Sequence, residues 1–100
     1  MATAVLMQGN AQKAAGDSVR MACDWGDEPL LIAGATITSF NITCSGVGAP
    51  TVTAKFQDYA YQTSALIAGG VPGSYELVFS IVLNDSDASE LVRTGVLRIL

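Results

Sequence analysis

The sequence predicts an all-β protein, a single antiparallel immunoglobulin-like β-sandwich of six or seven strands. Short segments in which apolar and polar residues alternate with period 2 recur along the chain. Turns rich in glycine, proline, asparagine and aspartate separate these segments about every 8 to 12 residues, and no segment has a helical period. A chain of 100 residues rarely contains two hydrophobic cores. We therefore expect one sandwich domain, with a small barrel as the alternative.

Residues 1–16 are predicted to form an extended arm. They are rich in alanine, glutamine and glycine, carry one charge at Lys13, and show no sustained period. The apolar run at residues 1–7 has no basic residue before it and is too short for a signal peptide, so no secretion signal is expected. This divides the chain into an arm at 1–16 and a sandwich domain at 17–100, and deleting residues 1–14 should leave the sandwich folded.

The first strand is predicted to begin at Asp17, where strict alternation starts. Residues 26–29 end it, because glycine relaxes φ and proline has no N–H to donate, and residues 30–32 form a short apolar ledge. A second strand over 35–44 is rich in threonine and isoleucine. The residues predicted to face inward are Val19, Met21, Cys23 and Trp25 on the first strand, and Phe40, Ile42 and Cys44 on the second.

The third and fourth strands are predicted at 51–56 and 59–68. The loop at 45–50 precedes them and a bend at 57–58 separates them. In the third strand, Val52, Ala54 and Phe56 should point inward.

The fifth strand, over 74–83, has the longest alternation in the chain and is predicted to be central. It follows a tight glycine loop at 69–73, whose glycines should supply positive φ. A polar turn at 84–89 leads to the last strand at 91–100. We expect Trp25, Leu77 and Phe79 to be largely buried.

Composition argues against catalysis and against nucleic-acid binding. The chain has no histidine, so it lacks the commonest general base and metal ligand, and only Lys13 and Lys55 could activate a hydroxyl nucleophile. Five basic residues against nine acidic ones give a net charge of −4, which repels phosphates. We predict no enzyme activity, no catalytic, cofactor-binding or metal-binding residue, and no cofactor.

Two acidic groups could in principle hold Ca²⁺ or form an acid/base pair. The first, at Asp24, Asp27 and Glu28, is interpreted as a solvated turn beside a proline, because it supplies too few fixed oxygens. The second begins like an EF-hand loop at Asp85. It has Glu90 instead of glycine at the sixth position and Val96 instead of glutamate at the twelfth, so a hairpin turn is favoured.

Cysteine and apolar patterns bear on compartment and contacts. Cys23 and Cys44 form no CxxC motif and are expected to be free thiols, with a disulfide as the alternative. The apolar stretch 77–83 is too short to cross a bilayer, so no membrane partner is expected. Tyr59 and Tyr61 should share one face of a strand, where they would form a subunit contact or core edge in preference to a platform for sugars or bases.

Four features of residues 17–100 resemble the small fiber-tail adaptor proteins of tailed bacteriophages. They are an apolar segment ending in Asp24-Trp25, a strand start at residues 34–39, a Gly69-Gly70-x-x-Gly73-Ser74-Tyr75 turn, and a last strand of alternating apolar residues. The resemblance covers about four-fifths of the chain. It implies an immunoglobulin-like virion protein that joins a fiber to the tail or baseplate and has no catalytic residues.

The expected function is therefore that of a structural connector in the virion, assembled in the cytoplasm of the host bacterium. Half of the residues are hydrophobic and only 14% are charged, which predicts that other subunits cover part of the surface. The partners would be other virion proteins, with homo-oligomers in the assembly. A capsid cement or decoration protein is one alternative. A carbohydrate-binding adhesion module is another, and it would need Trp25, Tyr59 and Tyr61 to be exposed together.

Overall fold

Two four-stranded sheets form an immunoglobulin-like sandwich in the computed structural model, which describes residues 5–6 and 10–100. This confirms the predicted sandwich class, and the described residues form eight strands where six or seven were expected. The strands are β1 (Val5–Leu6), β2 (Asn10–Lys13), β3 (Ser18–Asp24), β4 (Ile37–Ser45), β5 (Thr51–Asp58), β6 (Gln62–Ala68), β7 (Gly73–Leu83) and β8 (Glu90–Ile99). One helical turn, α1 (Pro29–Ile32), lies between β3 and β4 and contains the predicted apolar ledge.

The strand order is β1-β3-β6-β5 in the first sheet and β2-β8-β7-β4 in the second. The strand with the longest alternation, β7, is central as predicted, because it pairs with β8 on one side and β4 on the other. In this register Phe79 lies opposite Arg93 of β8 and opposite Ile42 of β4. The pairs β3–β6, β5–β6, β4–β7 and β7–β8 are antiparallel. In contrast, β1 is parallel to β3 and β2 is parallel to β8.

The core lies between the two sheets. Trp25 and Leu77 are 0% exposed and Phe79 is 2% exposed, which confirms the prediction for these residues. Every second residue of a strand points to the same face of the sheet. The alternating segments therefore place every second side chain, an apolar one, between the two sheets. The other buried members are Met21, Cys23, Ile42, Ala65, Ile67, Ile81, Leu83, Leu97 and Ile99.

The N-terminal segment differs from the expected arm at residues 1–16. Its described parts belong to the sandwich: β1 pairs with β3, and β2 pairs with β8. Lys13 is only 4% exposed, and its Nζ donates hydrogen bonds to the carbonyls of Ala14 (2.9 Å), Asp17 (3.0 Å) and Ala15 (3.5 Å). A short strand on a sheet edge is held by its ladder and needs no apolar alternation, which is why periodicity did not reveal it.

The inward prediction for β5 is correct for Val52 and wrong for Ala54 and Phe56. Val52 is half-buried, but Phe56 is 55% exposed. The β5–β6 register shifts between Thr53 and Phe56, and Ala54 has a φ of 49°. This bulge places an extra residue in β5 and turns the following side chains to the opposite face.

Candidate protein-binding surfaces at the two ends of the sandwich

Three connections converge at one end of the sandwich. They are the β3–β4 connection (residues 25–36), the β5–β6 turn (59–61) and the β7–β8 turn (84–89). The Trp25 N–H donates to the carbonyl of Tyr61 at 2.7 Å, which joins the first two. Asn84 joins the third, because its N–H donates to the Thr36 carbonyl at 3.0 Å and its Oδ1 accepts from the Thr36 N–H at 2.8 Å. Backbone hydrogen bonds thus hold the three connections together.

This end carries most of the negative charge of the chain, and we call it the acidic end (residues 24–36, 58–61 and 84–90). Seven of the nine carboxylates lie here. They are Asp24, Asp27, Glu28, Asp58, Asp85, Asp87 and Glu90. Among the described residues, Arg93 is the cation that forms ion pairs with them, while Arg20 is linked to Asp58 only through the hydroxyl of Ser64. Counting Arg93 alone, this end has six net negative charges. The other two carboxylates and four cations leave two net positive charges on the rest of the chain, consistent with the total of −4.

Arg93 is a functional candidate that the sequence reasoning missed. Its Nη2 pairs with Asp27 Oδ1 at 2.8 Å and Glu28 Oε2 at 3.0 Å, and its Nη1 donates to the Asp24 carbonyl at 2.7 Å. The guanidinium lies 4.7 Å from the ring centroid of Trp25. The hydrogen bond from Arg93, with its charge, lowers the pKa of Asp27 below the ordinary value. Arg93 lies an even number of residues from Leu91 and Leu97, so its side chain belongs to the same, inward face of β8. A charged residue at such an inward position is the signal that could have identified Arg93 as a candidate.

The acidic turn at Asp24, Asp27 and Glu28 therefore differs in part from the expected solvated turn. Asp24 and Asp27 are exposed as predicted, but Glu28 is half-buried against Arg93. The β7–β8 turn is a hairpin connection, as favoured from its sequence. In it, Asp85 accepts hydrogen bonds from the N–H and hydroxyl of Ser89, which lower the pKa of Asp85.

The aromatic residues are arranged differently from the predicted strand face. Tyr59 and Tyr61 lie in the β5–β6 turn and stack on each other, with ring centroids 5.9 Å apart and planes at 19°. They are 76% and 42% exposed. Trp25 is buried, and its Nε1 donates to Thr63 Oγ1 at 3.1 Å. The shared exposed platform of Trp25, Tyr59 and Tyr61 that a carbohydrate-binding module would require is therefore absent.

Further apolar surface at the acidic end comes from α1. Leu30 is 37% exposed and Ile32 is 72% exposed. Pro29 suits the first position of the turn, because an N–H there would have no helical partner. The turn ends before Gly34, whose φ is +112°.

Two uncharged loops lie at the opposite end, beside the β2–β3 connection that contains Asp17, and we call these loops the glycine-rich end (residues 46–50 and 69–73). Val47 is fully exposed and Val71 is 59% exposed. The Val71 N–H donates to the Gly48 carbonyl at 2.8 Å, and its carbonyl accepts from the Tyr75 hydroxyl at 2.6 Å. Gly70 has a φ of +97°, and a Cβ there would clash with Ile99 Cδ1, so both the backbone conformation and the packing favour glycine. The positive φ values predicted for loop 69–73 are confirmed at its three glycines.

Both cysteines are free thiols, as predicted. Cys23 is 2% exposed on β3 and Cys44 is half-buried on β4, in the other sheet. Burial raises the pKa of Cys23 to about 11 and also raises that of Cys44.

Within the part of the chain that the structure describes, no group of three His, Cys, Asp or Glu side chains is arranged to hold a metal ion. No helix among these residues is long and apolar enough to span a membrane.

Comparison with known proteins gives a likeness of structure without a match of sequence. No protein-family model matches the sequence, and no curated protein matches it. Among solved structures, the chain is similar to a cysteine protease inhibitor from Entamoeba histolytica, with a TM-score of 0.59 and 8% sequence identity. The match covers 97% of this chain and 95% of the inhibitor. At this identity the likeness establishes an immunoglobulin-like fold, and nothing more, for the present chain.

Proposed function

We propose that the chain is a non-catalytic connector between other proteins, in the role of a fiber-tail adaptor in the virion of a tailed bacteriophage. The observation that carries the proposal is the chemical difference between the two ends of the sandwich. The acidic end combines exposed tyrosines with six net negative charges, whereas the loops of the glycine-rich end carry exposed valines and no charge. A protein that joins two different neighbours needs two different surfaces.

The physical chemistry of the two ends supports contacts with protein. Exposed Val47 and Val71 gain from being covered by an apolar surface, and the loops that present them are held by hydrogen bonds. Exposed tyrosines supply large contact areas at low entropic cost, since they have two side-chain torsions. The resemblance to fiber-tail adaptors is the reason for proposing the tail as the site of these contacts. A capsid decoration protein is the second candidate, because it would use the same kinds of surface.

Immunoelectron microscopy tests this function. Antibody raised against the recombinant chain is applied to virions of the phage that encodes it. Label at the junction of tail and fiber is the expected result. Label spread over the capsid would replace the connector by a decoration protein, and virions free of the chain would overturn both.

Complementation with variants tests the two surfaces separately. Val47→Asp and Val71→Asp place a charge on the glycine-rich end, and each should reduce incorporation of the chain into particles. The matched control is Val92→Asp, which changes an exposed valine on the outer face of β8. An equal loss for the control would show that the glycine-rich end has no special part in assembly.

A further inference from the structure

The charge of this chain is segregated, and the segregation coincides with exposed aromatic surface. The acidic end has six net negative charges on a chain whose total is −4. The stacked Tyr59–Tyr61 pair and Ile32 are exposed at the same end. A partner of any charge can cover a neutral apolar surface. A negatively charged surface instead attracts positively charged partners and repels negatively charged ones.

We propose that the acidic end is the docking surface for a protein segment rich in arginine. Nucleic acids and anionic lipid surfaces are themselves negative, so this end repels them. A cationic protein surface is attracted, and its guanidinium groups can stack on the exposed tyrosine faces. The inference rests on the proposed function, because it names the chemistry of one of the two partners that a connector requires.

The chain already contains one example of this recognition. At the base of the acidic end, the guanidinium of Arg93 lies over the Trp25 ring while Asp27 and Glu28 neutralise its charge. An aromatic face with carboxylates around it thus binds arginine within the fold. The Tyr59–Tyr61 pair repeats the combination on the surface: Asp58 precedes it in the chain, and Asp24 lies opposite Gln62, the residue after it.

The tyrosine pair is also held in place before any partner arrives. The Tyr61 carbonyl accepts the Trp25 N–H at 2.7 Å, and the Tyr59 carbonyl accepts from Gln57 Nε2 at 3.3 Å. The ring of Tyr61 lies so close to Gly26 that an added Cβ would meet its Cδ2 at 3.3 Å. A surface that is already ordered loses little entropy on binding.

The test uses the full chain labelled with ¹⁵N and a short peptide of alternating arginine and glycine as the probe. Amide shifts in NMR spectra should change at the acidic end and saturate with peptide concentration. Tyr59→Ser should weaken binding about two- to fivefold, the range expected for one exposed cation–π contact. Removal of charge by Asp87→Asn with Glu90→Gln should weaken binding further and reduce its salt dependence.

Two matched controls are expected to show no effect on binding or no binding at all. Glu76→Gln removes a carboxylate from β7, away from the acidic end, and should leave affinity unchanged. A peptide in which glutamate replaces arginine should not bind. Absence of binding by the arginine peptide, shifts at another surface, or equal losses for Tyr59→Ser and Glu76→Gln would each overturn the proposal. Melting curves for every variant separate lost binding from lost folding.

The outcome is distinguishable from that of the connector function. If the chain is found at the tail but the Asp87→Asn, Glu90→Gln variant is incorporated normally, the connector stands and the arginine-docking surface fails. If the chain is absent from virions while the peptide binds at the acidic end as described, the docking surface stands and the virion role fails.

Discussion

At the scale of single residues, burial controls the chemistry of the two thiols. Desolvation raises the pKa of Cys23 to about 11, so its thiolate fraction near neutral pH falls. We expect native protein to be alkylated more slowly at Cys23 than at half-buried Cys44. In denaturant without reductant, both should be labelled. Mass spectrometry of the labelled peptides measures this, and a cysteine that resists labelling in denaturant would indicate a disulfide.

Removal of the Phe79 side chain should lower the free energy of unfolding strongly. Phe79 is 2% exposed in the core, so Phe79→Ala removes buried apolar area and leaves a cavity. The expected cost is about 3–5 kcal/mol of the free energy of unfolding. Ser80→Ala, a change on the outward face of the same strand, is the control and should have little effect. Urea melts compare the two, and similar midpoints would contradict the assigned strand faces.

At the scale of elements, β2 depends on a buried ammonium group. Lys13→Met keeps the apolar stem but removes the donor to the carbonyls of Ala14, Ala15 and Asp17. We expect a loss of about 1–3 kcal/mol, the usual penalty for buried polar groups without a partner. Lys55→Met is the matched control, because Lys55 is exposed and bonds only the Asn41 side chain among the described residues. Equal stability of the two variants would show that β2 is not held by Lys13.

The β5 bulge depends on one strained residue. Ala54 has a φ of 49°, which costs an L-residue about 1–2 kcal/mol relative to glycine. Glycine also gains entropy in the unfolded state, so we expect Ala54→Gly to change the free energy of unfolding by about 0 to +1 kcal/mol. Ala65→Gly, at a buried position in β6, should destabilise by about 1 kcal/mol or more. Thermal unfolding measures both, and equal destabilisation would argue against the bulge.

At the scale of the whole molecule, the pairing of β2 with β8 joins residues that are far apart in the chain. Asn10 lies opposite Val96. Closing so long a loop is entropically costly, so this contact should form after the folding transition state. Ala11→Gly, which weakens β2 at the position opposite Leu97, should then mainly increase the unfolding rate and leave the folding rate nearly unchanged. Stopped-flow measurements across a range of urea concentrations test this, and a slower folding rate with unchanged unfolding would place β2 in the folding nucleus.

The sequence by itself determined the sandwich class, the central position of β7 and the buried set around Trp25, Leu77 and Phe79. These follow from period-2 alternation, a local pattern that burial of one sheet face imposes directly on residue order. The acidic composition and the two groups of carboxylates can also be read directly from the sequence, because charge is a property of the residues themselves.

Only the tertiary structure decided the features that depend on contacts distant in sequence. Parallel pairing made residues 10–13 an edge strand, since backbone hydrogen bonds leave no mark on side-chain pattern. A bulge at Ala54 turned Phe56 outward, because one inserted residue reverses every later side chain in a strand. Folding also brought Arg93 to Trp25 and gathered seven carboxylates at one end. The three connections at that end are separated along the chain, and only sheet topology places them side by side.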